Sequence, residues 1–312
     1  MYSFLLQFGI GLIILLFSTQ KLVELAKNIS RTLRISPLIV GITIVAIGTS
    51  LPELAVSLVA IVKNDVGLAM GNIIGSNIVN ILMVFPVGLF IGNLRIGTTK
   101  TQRNALFLLG ATAIFYATQS FGSFKPTSGL FLISLAVVIS IVEYMLGVFG
   151  RTHEDIKQFK SAKYKKLGWG VIVSVILLIV GIIGGSILVV NSVEAISLLT
   201  GISTTILGLT LIAVATSLPE LLTTIFSQED HQEKMTVGNI LGSNIYNLLL
   251  IGGVVSLFPS AISIQQKEWI WLAVVTLGFV AILRYYKGHK PPKWIGIILI
   301  LLFLVYLLVQ KI

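Results

Sequence analysis

The chain has 312 residues, of which 55% are hydrophobic and only 11% are charged, and its mean hydropathy is +0.99. A soluble domain carries about 25% charged residues, so this composition excludes a water-soluble globular protein. The net charge of +10 does not indicate nucleic acid binding, because the aromatic residues lie inside apolar runs and no basic face alternates with stacking residues. The chain has no cysteine, which excludes disulfides and thiolate chemistry.

Apolar runs predict ten transmembrane helices, since about 20 apolar residues cross a hydrocarbon core of about 30 Å. The predicted spans are residues 2–20, 37–62, 66–92, 104–120, 127–149, 168–190, 203–227, 235–258, 268–285 and 294–310. The first run lacks a basic leading region and a small-residue cleavage site, so we expect a retained helix. The predicted fold class is an all-α polytopic membrane protein in a lipid bilayer.

Basic residues are distributed unevenly between the two sets of loops. One set holds 18 of the 22 Lys and Arg residues, and it comprises the connections 21–36, 93–103, 150–167, 228–234 and 286–293, with Arg284 counted in the last. Because positively charged loops face the cytoplasm, we expect these loops inside and both termini extracellular. The small size and the absence of a larger regulatory insertion favour a prokaryotic plasma membrane.

The two halves of the chain share a repeated sequence. Residues 41–54 align without gaps with residues 208–221 at nine identical positions of fourteen, and residues 71–82 align with residues 238–249 at nine of twelve. The predicted cytoplasmic linker 151–167 separates a five-helix repeat, residues 1–150, from a second, residues 168–312. An odd number of spans inverts the second repeat, as in secondary transporters that bind substrate at the repeat interface.

The repeated motif places a carboxylate inside a span of each half. Glu53 and Glu220 are repeat mates, and a charge at the bilayer centre costs about 2.5 kcal/mol or more, so we expect both to face a cavity and bind a cation. Thr49 and Thr216 precede them by four residues, which predicts that hydroxyl and carboxylate share a helix face. Glu143 lies near the end of its span, where its side chain can reach the membrane interface.

Prolines and a polar stripe add further oxygen donors. Pro52 and Pro219 cannot donate a backbone hydrogen bond, so each is expected to free main-chain oxygens beside the glutamate. In the following span of each half, polar side chains recur every four residues, namely Asn72, Ser76 and Asn80, and Asn239, Ser243 and Asn247.

The alternative interpretation of that stripe is helix packing. Gly71, Gly75, Gly238 and Gly242 would allow close approach, and asparagine or serine would hydrogen-bond between helices. Asn77 and Asn244 project elsewhere and are predicted to be structural.

The donor set consists of carboxylate, hydroxyl, amide and carbonyl oxygens, which suit Ca²⁺ and Na⁺ rather than soft metals. Two carboxylates can balance one Ca²⁺ or several monovalent cations, and such mutually exclusive occupancy is what antiport requires. No cofactor and no obligatory protein partner is indicated.

At these residues the sequence resembles the sodium/calcium exchanger branch of the cation/calcium exchanger superfamily, whose two alpha repeats carry GTSLPE-type and GN-x-x-GSN-type motifs. The resemblance implies an ion-binding core formed by residues 37–92 and 203–258, with the first and sixth spans sliding across it. It implies calcium ligands at Glu53 and Glu220 with the main-chain oxygens of Thr49 and Thr216, and sodium-site partners at Ser50, Ser76, Ser217 and Ser243, with Asn80 near the centre.

Two positions depart from the family pattern. Ala215 stands where the first repeat has Gly48, and Asn247 is neutral where some members carry an aspartate. The predicted site therefore holds two carboxylates rather than three.

The predicted function is a secondary antiporter that exchanges Na⁺ for Ca²⁺ by alternating access. One alternative is a proton/calcium antiporter of the same superfamily, in which the glutamates carry protons, although that branch usually lacks the TSLPE pattern. A cation channel is a second alternative, which conductance would reveal. An enzyme is not expected, because the sequence has no Ser–His dyad and no HExxH motif.

Overall fold

The computed structural model describes residues 2–32, 46–92, 94, 96, 99–119, 125–149, 169–229, 233–259 and 264–310. These residues form helices, and no strand occurs among them. The predicted linker 151–167 and the beginning of the second predicted span, residues 37–45, lie outside the described residues.

The described helical segments group into ten helices that follow the order of the ten predicted spans. They are α1 (Tyr2–Thr32), α2 (Ala46–Thr49 and Leu51–Val62), α3 (Val66–Val79, the π turn Asn80–Val84, and Phe85–Ile91), α4 (Thr99–Gln119), α5 (Pro126–Phe149), α6 (Trp169–Thr200), α7 (Thr204–Leu207, the π turn Gly208–Ile212, Ala213–Thr216 and Leu218–Glu229), α8 (Glu233–Tyr246, the π turn Asn247–Ile251, and Gly252–Val255), α9 (Gln266–Tyr285) and α10 (Lys293–Val309). The helices α1 and α6 extend about ten residues beyond their predicted ends, because helix continues through the polar residues that follow the apolar run.

The chain is an integral membrane protein. Among the described residues, seven helices are long and apolar enough to cross a membrane, and they fall in α1, α3, α5, α6, α7, α8 and α9. The helices Leu51–Val62 and Lys293–Val309 are apolar but shorter. The count of ten spans stays a prediction.

Burial separates central helices from peripheral ones. In α3, 83% of the most apolar window is buried, whereas in α6 the share is 17%. The peripheral α1 and α6 pack along each other, and α3 packs against α2 and α7. The helix α8 contacts α7 and α4, while α9 packs on α4 and α10 on the second half of α3. The four helices that carry the repeated motifs therefore form the centre of the molecule.

Glycines allow the close approach of α3 and α7, as the packing interpretation predicted for the first half. A Cβ atom at Gly71 would lie 2.5 Å from the carbonyl oxygen of Thr205, and one at Gly75 would lie 2.6 Å from that of Leu209. At Gly238 an added Cβ would meet no described atom within 4 Å. Residues 38 and 42, the repeat mates of Thr205 and Leu209, lie outside the described residues, so the packing interpretation stays a prediction for Gly238.

Glu143 near the end of α5 is buried and paired with a cation. Its side chain is 7% exposed and accepts hydrogen bonds from Arg103 of α4, with the Nη2 to Oε1 distance at 2.5 Å. The cationic partner comes from a neighbouring helix, so the span of α5 alone could not reveal it. A buried carboxylate is stable here because it is paired.

Candidate functional site

The site begins at a break in α2 and a matching break in α7. Both helices are interrupted one turn before the glutamate, at Ser50 (φ −89°, ψ 7°) and at Ser217 (φ −80°, ψ 5°). Each break lies two residues before the proline, Pro52 or Pro219. The break falls between Thr49 and Glu53, and between Thr216 and Glu220, so each predicted pair stands on two sides of a helix interruption.

The two glutamates instead pair with the opposite half of the chain. Both carboxylates are fully buried. Ser217 Oγ donates to Glu53 Oε1 at 3.5 Å, and Ser50 Oγ donates to Glu220 Oε1 at 3.3 Å. The two breaks therefore face each other, and each carboxylate is held by the serine of the other repeat.

The threonine hydroxyls cross between the halves in the same way. Thr49 Oγ1 lies 3.4 Å from Asn239 Oδ1 and 3.3 Å from Ser243 Oγ. Thr216 Oγ1 lies 3.2 Å from Asn72 Oδ1 and 3.4 Å from Ser76 Oγ. These two sets of contacts are related by the repeat, so α2 contacts α8 as α7 contacts α3.

Asn72 connects three helices at this point. Its Nδ2 donates to the main-chain oxygen of Glu53 at 3.1 Å and to Ser57 Oγ at 2.9 Å, while its Oδ1 accepts from Thr216. The packing interpretation therefore describes Asn72 well. Its repeat mate differs, because Asn239 Nδ2 and the hydroxyl of Thr224, the mate of Ser57, have no hydrogen-bond partner among the described residues.

Asn80 and Asn247 each open a π turn. The turns Asn80–Val84 and Asn247–Ile251 occupy equivalent positions in the two repeats, and both asparagines are fully buried. In the first turn the backbone N–H of Phe85 donates to the main-chain oxygen of Asn80, which lies five residues back rather than four. Such wide turns inside helices occur frequently at functional sites.

Several buried polar atoms of the two glutamates and of the two π-turn asparagines have no hydrogen-bond partner within the described part of the chain. They are Oε2 of Glu53 and of Glu220, Oδ1 of Asn80, and both amide atoms of Asn247. Burying such an atom without a partner costs about 1–3 kcal/mol, and an ionised carboxylate costs more. Oxygens in this condition are suited to coordinate a cation.

The structure thus brings together ten of the side chains that the sequence predicted. Glu53, Thr49, Ser50, Ser76 and Asn72 of the first half meet Glu220, Thr216, Ser217, Ser243 and Asn239 of the second. Asn80 and Asn247 follow four residues after Ser76 and Ser243, where the π turns begin. Asn244, which the sequence predicted to be structural, joins the two repeats, because its side chain accepts a hydrogen bond from Asn80.

These features define a helical membrane protein with two related halves that enclose a buried, oxygen-lined pair of carboxylates. That arrangement is typical of a cation transporter.

The chain belongs to the sodium/calcium exchanger protein family, whose profile matches residues 3–146 and 170–312. It is 30% identical to the inner membrane protein YrbG of Escherichia coli strain K12, covering 96% of this chain and 94% of that protein. It is 27% identical to the sodium/calcium exchanger MaX1 of Methanosarcina acetivorans, covering 96% of both.

A solved structure supports the same relationship. The sodium-calcium exchanger NCX_Mj, soaked with 10 mM Na⁺ and 10 mM Sr²⁺, matches 97% of this chain and 96% of its own chain at 29% identity, with a TM-score of 0.65.

Proposed function

We propose that this protein is a secondary antiporter that exchanges Na⁺ for Ca²⁺ at the site between its two repeats, by alternating access. The observation that carries the proposal is the pair of buried carboxylates, Glu53 and Glu220, each with one oxygen that has no hydrogen-bond partner among the described residues. Two carboxylates neutralise one Ca²⁺, and monovalent cations can replace it. Because both cargoes need the same oxygens, their binding is mutually exclusive.

The surrounding donors suit both ions. Ca²⁺ takes six to eight oxygen ligands in flexible geometry, and the site offers carboxylate, hydroxyl and amide oxygens close together. In this proposal Glu53 and Glu220, with the main-chain oxygens of Thr49 and Thr216, bind Ca²⁺. Na⁺ uses the hydroxyls of Ser50, Ser76, Ser217 and Ser243, with Asn80 and Asn247 at the centre, and Pro52, Pro219, Asn72 and Asn239 support the geometry.

The relatives' names agree with this proposal. MaX1 and NCX_Mj are both named as sodium–calcium exchangers, and their similarity to this chain extends over nearly its whole length. In a proton-coupled cycle the same two glutamates would bind protons in place of Na⁺, so the driving ion has to be measured directly.

Calcium uptake into proteoliposomes tests the function. Vesicles loaded with Na⁺ and diluted into Na⁺-free buffer are expected to accumulate radioactive Ca²⁺, whereas Glu53→Gln and Glu220→Gln should reduce uptake to background. Glu24→Gln is the matched control, because this glutamate is exposed and pairs with Lys21 on the surface of α1. Uptake driven by a pH gradient alone would indicate proton coupling, a single-channel conductance would indicate a channel, and no calcium movement would refute the assignment.

We further propose that residues 1–150 and 168–312 form two inverted repeats, with both termini extracellular and the 151–167 loop cytoplasmic, in a prokaryotic plasma membrane. The distribution of Lys and Arg supports this orientation. Since the chain has no cysteine, single cysteines can report it without background. We expect an impermeant thiol reagent to label Asn64→Cys from outside and Lys287→Cys only after permeabilisation, and the reverse pattern would contradict the orientation.

A further inference from the structure

Asn244 lies in α8, three residues before Asn247, and is fully buried. Both polar atoms of its side-chain amide make hydrogen bonds. Its Oδ1 accepts a hydrogen bond from Asn80 Nδ2 at 3.0 Å, and its Nδ2 donates to the main-chain oxygen of Asn77 at 3.2 Å. The side chain of Asn244 thereby joins the second repeat to the first residue of the π turn in α3.

This contact decides which way the Asn80 amide faces. The oxygen and the NH₂ group of an asparagine exchange places when the amide rotates by half a turn. An acceptor on Asn244 can satisfy only the NH₂ group, so the Asn80 oxygen points away from it. That oxygen is buried and has no hydrogen-bond partner among the described residues, which leaves it available to a cation.

The equivalent position in the other repeat does not have this arrangement. Asn77, the repeat mate of Asn244, donates its Nδ2 to the carbonyl of Ile73 in its own helix at 2.8 Å. Neither amide atom of Asn247, the repeat mate of Asn80, has a hydrogen-bond partner within the described part of the chain. The amide of Asn80 is therefore oriented by the protein, and that of Asn247 is not.

We propose that Asn244 is a positioning residue that presents the Asn80 oxygen to the transported cation. The proposal rests on the function proposed above. A ligand oxygen that is already oriented needs no reorganisation when the ion binds, and preorganisation of this kind raises affinity. If the amide turned round, its NH₂ group would face the ion, so removing Asn244 should weaken cation binding even though Asn244 does not touch the ion.

A double-mutant cycle tests the proposal in the calcium uptake assay. Because Asn80 belongs to the proposed Na⁺ sites, Asn244→Ala is expected to raise the half-saturating Na⁺ concentration inside the vesicles by about 5-fold, the effect of one hydrogen bond. In the Asn80→Ala background the same substitution should change it by less than about 2-fold, because the amide on which Asn244 acts is gone. A purely structural role would give the same fold-change in both backgrounds, and that result would overturn the proposal.

The matched control is the equivalent cycle in the other repeat. Asn77→Ala removes a buried asparagine of the same motif. Its fold-change in the half-saturating concentration should be the same with and without Asn247→Ala, because the two side chains share no hydrogen bond. If Asn244→Ala does not fold, Asn244→Ser serves in the same cycle, since a hydroxyl on Cβ does not reach the position of Oδ1.

Failure of this proposal and failure of the proposed function give different results. If Glu53→Gln and Glu220→Gln abolish uptake but the Asn80–Asn244 cycle shows no coupling, the positioning role is refuted and the function stands. If both glutamine variants still transport Ca²⁺ at the unmodified rate, the proposed function is refuted.

Discussion

The paired glycines Gly71 and Gly238 should respond oppositely to the same substitution. A Cβ at Gly71 lies 2.5 Å from the Thr205 carbonyl oxygen and 3.0 Å from the Leu209 nitrogen. Real Cβ atoms hardly ever approach another atom within 3.0 Å, and both of these neighbours are backbone atoms of α7, which cannot turn aside as a side chain could. Gly71→Ala therefore forces α3 and α7 apart by several tenths of an ångström.

Gly71→Ala should lower the free energy of unfolding, whereas Gly238→Ala should raise it. Overpacking of this kind destabilises by about 1–3 kcal/mol. At Gly238 an added Cβ meets no described atom within 4 Å, and alanine is favoured over glycine inside a helix by about 1 kcal/mol. The two alanine variants are expected to differ by about 2 kcal/mol or more in the free energy of unfolding.

Thermal unfolding of the detergent-purified protein, followed by tryptophan fluorescence, measures this difference. We expect Gly71→Ala to lower the midpoint temperature by several degrees and Gly238→Ala to leave it unchanged or raise it. Because α3 and α7 carry the site, Gly71→Ala should also reduce calcium uptake. Equal shifts in the two variants would refute the inference that close contact with the α7 backbone makes Gly71 the less tolerant of the two positions.

Two further pairs of substitutions test the polar contacts in the same unfolding assay. Asn72→Ala removes hydrogen bonds to two helices and should destabilise the protein by about 2 kcal/mol. Asn239→Ala should cost less, because Nδ2 of Asn239 has no hydrogen-bond partner among the described residues. A larger loss for Asn239→Ala would contradict this difference in hydrogen bonding. Arg103→Ala should cost about 3 kcal/mol because it leaves the buried Glu143 carboxylate without its main partner. Lys100 is 46% exposed and its Nζ lies 3.7 Å from Glu143 Oε2, so Lys100→Ala should cost under about 1 kcal/mol. Equal losses of stability in the Arg103 and Lys100 variants would refute the inference that Arg103 is the main partner of Glu143.

The repeat explains why so much of the site could be predicted. Glu53 and Glu220 stand out because a carboxylate inside an apolar run is costly, and their recurrence at the same motif position indicates a shared role. The four-residue spacing of Asn72, Ser76 and Asn80 places them on one helix face. These inferences need only the cost of burying charge and the geometry of a single helix.

The sequence could not predict which groups pair across helices. The spacing placed Thr49 and Glu53 on one helix face, but nothing in it indicated that the Ser50 hydroxyl donates to Glu220 of the other repeat. Asn244 has the same local sequence as Asn77, and only its contact with Asn80 distinguishes it.

The sequence by itself determined the membrane environment, the internal repeat, the pair of buried carboxylates and the choice of hard oxygen donors, because these follow from composition and from spacing along the chain. Only the tertiary structure decided which repeat mates differ in their hydrogen bonds, namely Asn72 from Asn239 and Asn77 from Asn244. The physical reason is that two similar motifs present these asparagines at the same positions, but each packs against different neighbours. Contacts between distant segments, not the local sequence, then assign each hydrogen bond.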